Sequence, residues 1–401
     1  MLMTKPMAAA DSAEMLRRLI GFDTTSRNSN MALIEFVQDY LRDLGVESTL
    51  VLSEDGRKAN LFATIGPADK PGVVLSGHTD VVPVDGQDWA TDPFDMVERD
   101  GRFWGRGTCD MKGFLAVALA HAPAFKRANL KAPIHYCLSY DEEVGCLGVH
   151  SLVDHLKTLP VRPRMCVVGE PTSMQVIIGH KGKLAMRCTV QGHACHSSLA
   201  PHGVNAVEYA AEVIVKLREM ARRKAQEGPF DGSFDVAHTT VHTGRIKGGT
   251  ALNIVPDAAS FEFEFRHLPV EDPEVLLREV QAYAHDVLEP EMKARAQETG
   301  FSWEPIFTFP GLDMEVEDEG VLAVKALARQ NATARVAYGT EAGIFQQKGG
   351  IPTVICGPGS IEQAHKPNEF CDVAQIVACE GFMLRLVAML ENGWPASFGI
   401  S

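Results

Sequence analysis

Five short segments of this 401-residue chain carry side chains able to hold a cation or move a proton. His78 and Asp80 follow the apolar run VVLSG, and Asp110 closes the glycine-rich stretch WGRGTCD. Glu142 and Glu143 follow IHYCLSY, Glu170 follows MCVVG, and His365 comes after TVICG. Each has a plainer reading alone: Asp110 as a helix N-cap, Asp141 to Glu143 as a solvated acidic turn, Glu170 and His365 as exposed loop residues. Their common position just after strand-like runs argues otherwise. In open α/β sheets ligands bind outside the carboxyl ends of the strands, so these segments can converge on one crevice.

His78 and Asp80 are spaced so that the carboxylate can accept a ring N–H and leave the other nitrogen for a metal. Asp110, Glu143 and Glu170 in one partly buried cleft would repel one another, and only a strongly positive centre makes that arrangement reasonable. Two divalent ions bring four positive charges against three carboxylates, which leaves room for one hydroxide. Oxygen and imidazole donors without thiolate suit zinc, cobalt or manganese better than magnesium or calcium.

The elements that must position these residues are legible from periodicity. Residues 13–20 and 31–44 carry apolar residues at helical spacing; 48–52 and 60–65 read as strands, and GVVLSGHTDVV as a strand buried on both faces. A helix from about 112 to 127, then IHYCLSY and MCVVG, continue an alternation that predicts an α/β domain, a mixed sheet with helices on both faces. From about residue 182 the texture changes to strand (KLAMRCTVQG), helix (204–223), two strands (236–244 and 258–266) and helix (273–288). That order predicts an inserted α+β domain of ferredoxin-like type over 182–300, interrupting a discontinuous domain of 1–181 and 301–401. A helix at 320–330, strands ARVAYG and TVICG, and a helix at 373–390 complete the first domain.

Composition narrows the function. The 38 basic and 52 acidic side chains leave a net charge of −14, which repels nucleic-acid phosphates and anionic membrane surfaces. No apolar run is read as long enough to span a bilayer, and Lys5, Asp11, Glu14, Arg17 and Arg18 break up the start of the chain, so neither a span nor a signal peptide is expected. Nine cysteines are scattered as singletons, which disfavours a disulfide scaffold and points to the cytoplasm.

The segments SGHTDVVP, WGRGTCDMKG, DEEVG, GEPT, GHACHSS, ALNIVP, FEFEFR and AHKPNE, in this order, resemble the di-zinc amidohydrolase and exopeptidase family that includes acetylornithine deacetylases, succinyl-diaminopimelate desuccinylases, aminoacylases and glutamate carboxypeptidases. The resemblance spans residues 75 to 369. It implies His78 and Glu170 on one ion, Glu143 and His365 on the other, Asp110 bridging, Asp80 orienting His78 and Glu142 as general base. It also implies that the inserted domain is a dimerisation and lid domain of a homodimer, and that His196 reaches the partner's active site to stabilise an oxyanion. Zinc is the first expectation for the two ions, cobalt the second.

Within that family, YGTEAGIFQ and ICGPGSIEQAHKPNEF resemble the acetylornithine deacetylase branch, which makes N-acetylornithine the expected small-molecule substrate. A broader N-acyl-amino-acid hydrolase, desuccinylase or dipeptidase is the alternative, and a catalytically silent metal-binding protein the alternative of another class. Arg266 and Asn253, with Gly339 and Thr340, are expected to hold a substrate carboxylate, since an arginine fork matches that group; the plainer alternative for Arg266 is a structural ion pair at a strand end. Glu341 has two readings, a partner for the δ-ammonium of ornithine or an acid in the first turn of a helix.

Overall fold

A computed structural model describes residues 11–395, so Lys5 lies outside the described residues. The chain divides into two compact units, one of residues 1–179, 312–335 and 340–401, the other of 180–311 and 336–339.

The first unit contains strands β1 (Ser48–Leu52), β2 (Ala59–Ile65), β3 (Val73–His78), β4 (Val97–Arg99), β5 (Arg102–Trp104), β6 (Ile134–Ser139), β7 (Met165–Pro171) and β8 (Val176–His180). The second contributes β9 (Gly182–Gln191), β10 (Thr240–Gly248), β11 (Ala258–His267) and β12 (Gly300–Phe309). The chain then returns to the first with β13 (Leu312–Asp313), β14 (Thr333–Val336), β15 (Thr353–Gly357) and β16 (Phe370–Asp372). The large sheet runs β1-β2-β6-β3-β7-β15-β8-β13, with β14 on β8. Its centre, β6-β3-β7-β15, is parallel, and all four strands are buried along their length, as their near-continuous apolar runs require. Their carboxyl ends therefore lie side by side.

The helices of this unit are α1 (Ser12–Ile20), α2 (Met31–Asp43), α3 (Lys112–Ala120), α4 (Ala122–Arg127) and α5 (Val149–Lys157). The expected single helix over 112–127 is broken at His121, where Pro123 opens α4. Gly169 of β7 gives α3 room against the sheet: a Cβ there would stand 1.9 Å from the Phe114 ring.

Helices α6 (Ala206–Glu227), α7 (Pro273–Ala282) and α8 (Glu289–Arg295) belong to the second unit, and α9 (Glu319–Ala328), α10 (Ala342–Gln347) and α11 (Val373–Asn392) to the first. By length and composition α11 passes as a bilayer span, contrary to the expectation that no run reaches that length. Glu380 and Arg385 interrupt the run to the eye yet leave its average apolar. Both are used inside the unit: Ser12 Oγ donates to Glu380 at 2.6 Å and Arg385 Nε to Leu327 O at 2.6 Å, while Cys379, Phe382, Met383, Leu386 and Leu390 are buried.

The second unit has the chain order strand, helix, strand, strand, helix, strand and the sheet order β10-β11-β9-β12, a ferredoxin-like arrangement. Alternation in β11 sends Phe261, Phe263 and Phe265 inward with Val213 and Leu217 of α6. Glu262 and Glu264 lie on the other face, bonded to Arg187 and Lys183. The strand expected at 236–244 is displaced to β10, and β12 was not foreseen. All nine cysteines are free thiols, as their singleton spacing predicts.

His135 of β6 is 4% exposed, bonded through Nδ1 to Thr64 Oγ1 at 2.9 Å, and has no partner for Nε2. Burial pulls its pKa down to about 4. An unfolded histidine titrates near 6.5, so between these values the unfolded chain binds a proton that the folded chain refuses, and stability falls as pH falls from 6.5 to about 4. The effect is on the order of 3 kcal/mol. Thermal unfolding of His135→Gln should show a shallower loss across this range than the parent; equal slopes would assign the acid loss to other groups.

Candidate active site

The carboxyl ends of the parallel strands bring five predicted residues into two groups that share one member. His78, Asp110 and Glu170 offer ligand atoms within 4.8 Å of one another, and so do Asp110, Glu143 and His365. Asp110 stands between the groups, with Oδ1 3.1 Å from His78 Nε2 and Oδ2 3.2 Å from His365 Nε2. Glu170 Oε1 lies 3.9 Å from His78 Nε2, and Glu143 Oε2 lies 3.0 Å from His365 Nε2.

His78 Nδ1 is 2.8 Å from the main-chain oxygen of Asp80. A carbonyl only accepts, so in the neutral ring Nδ1 holds the proton and Nε2 turns its lone pair toward Asp110 and Glu170. The bond expected from the Asp80 carboxylate is thus made by its carbonyl, the carboxylate standing 3.6 Å from the same nitrogen. That carboxylate instead accepts the N–H groups of Glu142 at 3.1 Å and Glu143 at 3.3 Å, and the Ser26 hydroxyl at 2.7 Å. Asp80 anchors the acidic turn, while Asp141 turns aside to pair with Lys58.

The electrostatics follow from crowding. Burial first, then the charge of Asp110, pushes Glu143 up to about 7 and Glu170 well above the carboxylate range. Burial, with Glu143 and Asp110 adding to it and His78 opposing, pushes Glu142 up to about 8. Against the desolvation of its own burial, hydrogen bonds from His365 and His78 hold Asp110 well below the usual range. His365 rises to about 10 through its bonds to Asp110 and Glu143. Each shift answers a deficit of positive charge. Glu143 Oε1 and Glu170 Oε1 are buried with no hydrogen-bond partner, which is expected of donors meant for a cation. The residues fit a pair of metal ions sharing Asp110, and Glu142 belongs to neither group.

Glu369, which sequence reasoning missed, holds this arrangement from behind. It is 1% exposed and accepts N–H groups from Gly107 at 3.1 Å, Cys109 at 2.8 Å and Asp110 at 3.0 Å, with Arg106 Nη1 at 2.7 Å. Pairing of β16 with β5 delivers it there. Its position four residues after His365, in AHKPNE, was the available signal.

Glu341 stands at the start of α10, but its carboxylate is engaged elsewhere. It is 0% exposed, accepting Ser76 Oγ at 2.6 Å and Ser139 Oγ at 2.7 Å, so its carboxylate braces the ends of β3 and β6 and is closed to a substrate ammonium. It occupies the N-cap position of α10 but its side chain makes no capping bond; Ala342 N donates instead to Thr340 Oγ1 at 3.1 Å. Thr340 is buried.

The remaining predicted residues belong to the second unit. Arg266 Nε pairs with Glu264 at 2.9 Å, the structural reading of that residue. Asn253 is exposed, and its carbonyl accepts Ser197 N at 3.0 Å. Gly339 is confined by Phe309, 2.1 Å from where a Cβ would sit. His196 is exposed, and its Nδ1 accepts the Ser198 N–H at 3.2 Å, so the neutral ring presents Nε2–H outward.

Residues 74–389 match the model for peptidase family M20/M25/M40. The chain is 34% identical to acetylornithine deacetylase of Myxococcus xanthus, covering 94% of this chain and 97% of that protein. It is 32% identical to acetylornithine deacetylase of Pasteurella multocida (strain Pm70), covering 91% and 92%. Among solved structures, an M20 family metallo-carboxypeptidase of Sulfolobus solfataricus superposes with a TM-score of 0.73 at 18% identity, covering 95% of this chain and 99% of that one. The match runs through every segment that supplies the two ligand groups, and the chain belongs to peptidase family M20/M25/M40.

Proposed function

We propose that this chain hydrolyses the amide of an N-acyl amino acid, with N-acetylornithine as substrate, using two divalent ions. The observation that carries the reading is Asp110 presenting one oxygen to His78 and the other to His365, beside the unpartnered oxygens of Glu170 and Glu143. His78 and Glu170 would hold one ion, Glu143 and His365 the other, and Asp110 both; zinc or cobalt suits the donors. When bound, such a pair lowers the pKa of a shared water and polarises the scissile carbonyl.

The chain's own residues do the rest. Glu142 accepts the proton of the attacking water and returns it to the leaving nitrogen, a role open to it because it lies beside the cluster and belongs to neither ligand group. His196 donates Nε2–H to the oxyanion. We assign that donation to the partner subunit of a homodimer, the second unit serving as dimerisation domain and lid, with the free edge of β10 and the fully exposed Leu252 in support. Arg266, Asn253, Gly339 and Thr340 would receive the substrate carboxylate, Arg266 by exchanging Glu264 for it. Free thiols and a net charge of −14 support a cytoplasmic enzyme of small molecules.

Steady-state rates on N-acetylornithine, N-acetylmethionine and a dipeptide test the substrate, and the first should lead in kcat/KM; a dipeptide in the lead would overturn the assignment. Glu142→Ala should keep its metal and lose kcat by about a hundredfold or more, whereas Glu143→Ala should lose metal affinity as well. Equal metal retention in the two would contradict the division of the pair.

Co-purified heterodimers of Glu142→Ala and His196→Ala subunits should recover part of the turnover lost in each homodimer, because one of the two sites then has both groups. No recovery would place His196 in its own subunit's site. Glu341→Gln should lower the thermal midpoint and leave the ratio of kcat/KM for N-acetylornithine over N-acetylnorvaline unchanged. Collapse of that ratio would restore Glu341 to the substrate.

A further inference from the structure

The two ligand groups are supported very differently. His78 and Glu170 lie on strands β3 and β7, with side chains 1% and 6% exposed. His365 sits in the loop between β15 and β16, its side chain 55% exposed and its backbone at a φ of 64°, a conformation that non-glycine residues adopt only when held there. Its ring meets Asp110 and Glu143, and its backbone is tied to the segment 82–95.

Gln87 Nε2 donates to His365 O at 3.0 Å. Gln87 Oε1 in turn accepts Arg106 Nη2 at 2.6 Å and Trp89 Nε1 at 3.0 Å, so the amide is oriented from both sides. The Arg106 guanidinium lies 5.0 Å from the Trp89 ring centroid, and its other arm reaches Glu369 at 2.7 Å and Lys366 O at 3.3 Å. Ala90 N donates to Asn368 Oδ1 at 2.8 Å, a second tie from the same segment to the same loop. Because Oε1 takes two donors, Gln87 can present only Nε2 to the His365 carbonyl, and the bond fixes the peptide next to the ligand's own Cα.

We propose that Gln87 is a positioning residue for His365, so that the ion site of Asp110, Glu143 and His365 depends on it while that of His78, Asp110 and Glu170 does not. The inference rests on the two-ion reading above and adds an asymmetry to it: the site built on strand ends is preformed, and the loop-borne site depends on the hold of Gln87 and Arg106 on the His365 loop. Gln87 touches neither metal nor substrate in this account and acts through His365 alone.

The test is titration of chelator-treated protein with Co2+, followed by calorimetry and by the ligand-field absorption of cobalt, in the parent, Gln87→Ala and Gln87→Glu. The glutamate keeps an acceptor for Arg106 and Trp89 but turns an acceptor toward the His365 carbonyl. In both variants the first equivalent should bind as in the parent, and the second should weaken by about ten- to a hundredfold. kcat at limiting metal should fall, and saturating Co2+ should restore it. An unchanged second equivalent, or equal weakening of both, would overturn the inference. A parent that binds fewer than two equivalents would instead overturn the two-ion reading itself.

Discussion

Carboxylates that repel one another are held together in this fold, and the rest of the first unit is arranged around that constraint. Asp110, Glu143 and Glu170 meet where water is largely excluded, with Glu142 and Asp80 close by. In such a place an uncompensated charge costs several kcal/mol, and hydrogen bonds to two histidines cannot neutralise the whole group. Without added positive charge the cluster takes up protons, which is what the raised carboxyls of Glu142, Glu143 and Glu170 express. Cations held by the two groups would satisfy the same deficit and leave the carboxylates ionised.

Holding the cluster requires a frame that does not yield. Four parallel strands set the spacing, and Gly169 lets α3 lie close against β7 at the strand that carries Glu170. Behind the ligands stand three buried carboxylates that bind backbone or hydroxyl donors. Asp80 fixes the turn of Glu142 and Glu143, Glu341 braces β3 to β6, and Glu369 fixes the loop of Asp110. The ligands are thereby oriented before any ion arrives, which lowers the reorganisation needed for binding and for catalysis.

The two candidate ligand groups are legible in the sequence because they obey two rules that act over short distances: apolar runs mark buried parallel strands, and chemistry gathers just past their ends. His78, Glu143 and Glu170 each follow such a run. Their supports are not legible, because what identifies Gln87, Arg106, Glu341 and Glu369 is a partner more than two hundred residues away for all but two of their side-chain hydrogen bonds, those of Gln87 to Trp89 and Arg106. Glu341 shows the hazard: adjacency to Thr340 placed it near the substrate, whereas two distant serines claim both its oxygens. Strand β12 escaped notice because Pro305 and a register shift at 305/307 break its alternation, both tolerable only at a sheet edge. The His-x-Asp spacing could not distinguish the Asp80 carbonyl, which meets the His78 ring nitrogen, from its carboxylate, which binds the acidic turn instead.

Whether two cations sharing Asp110 compensate the buried carboxylates is read from anomalous diffraction at the zinc edge, from crystals grown with zinc. Two peaks should flank the Asp110 carboxylate, one against Glu170 Oε1 and His78 Nε2, the other against Glu143 and His365 Nε2. A map with no peak at Asp110, in crystals whose solution contains zinc in excess, would contradict that compensation.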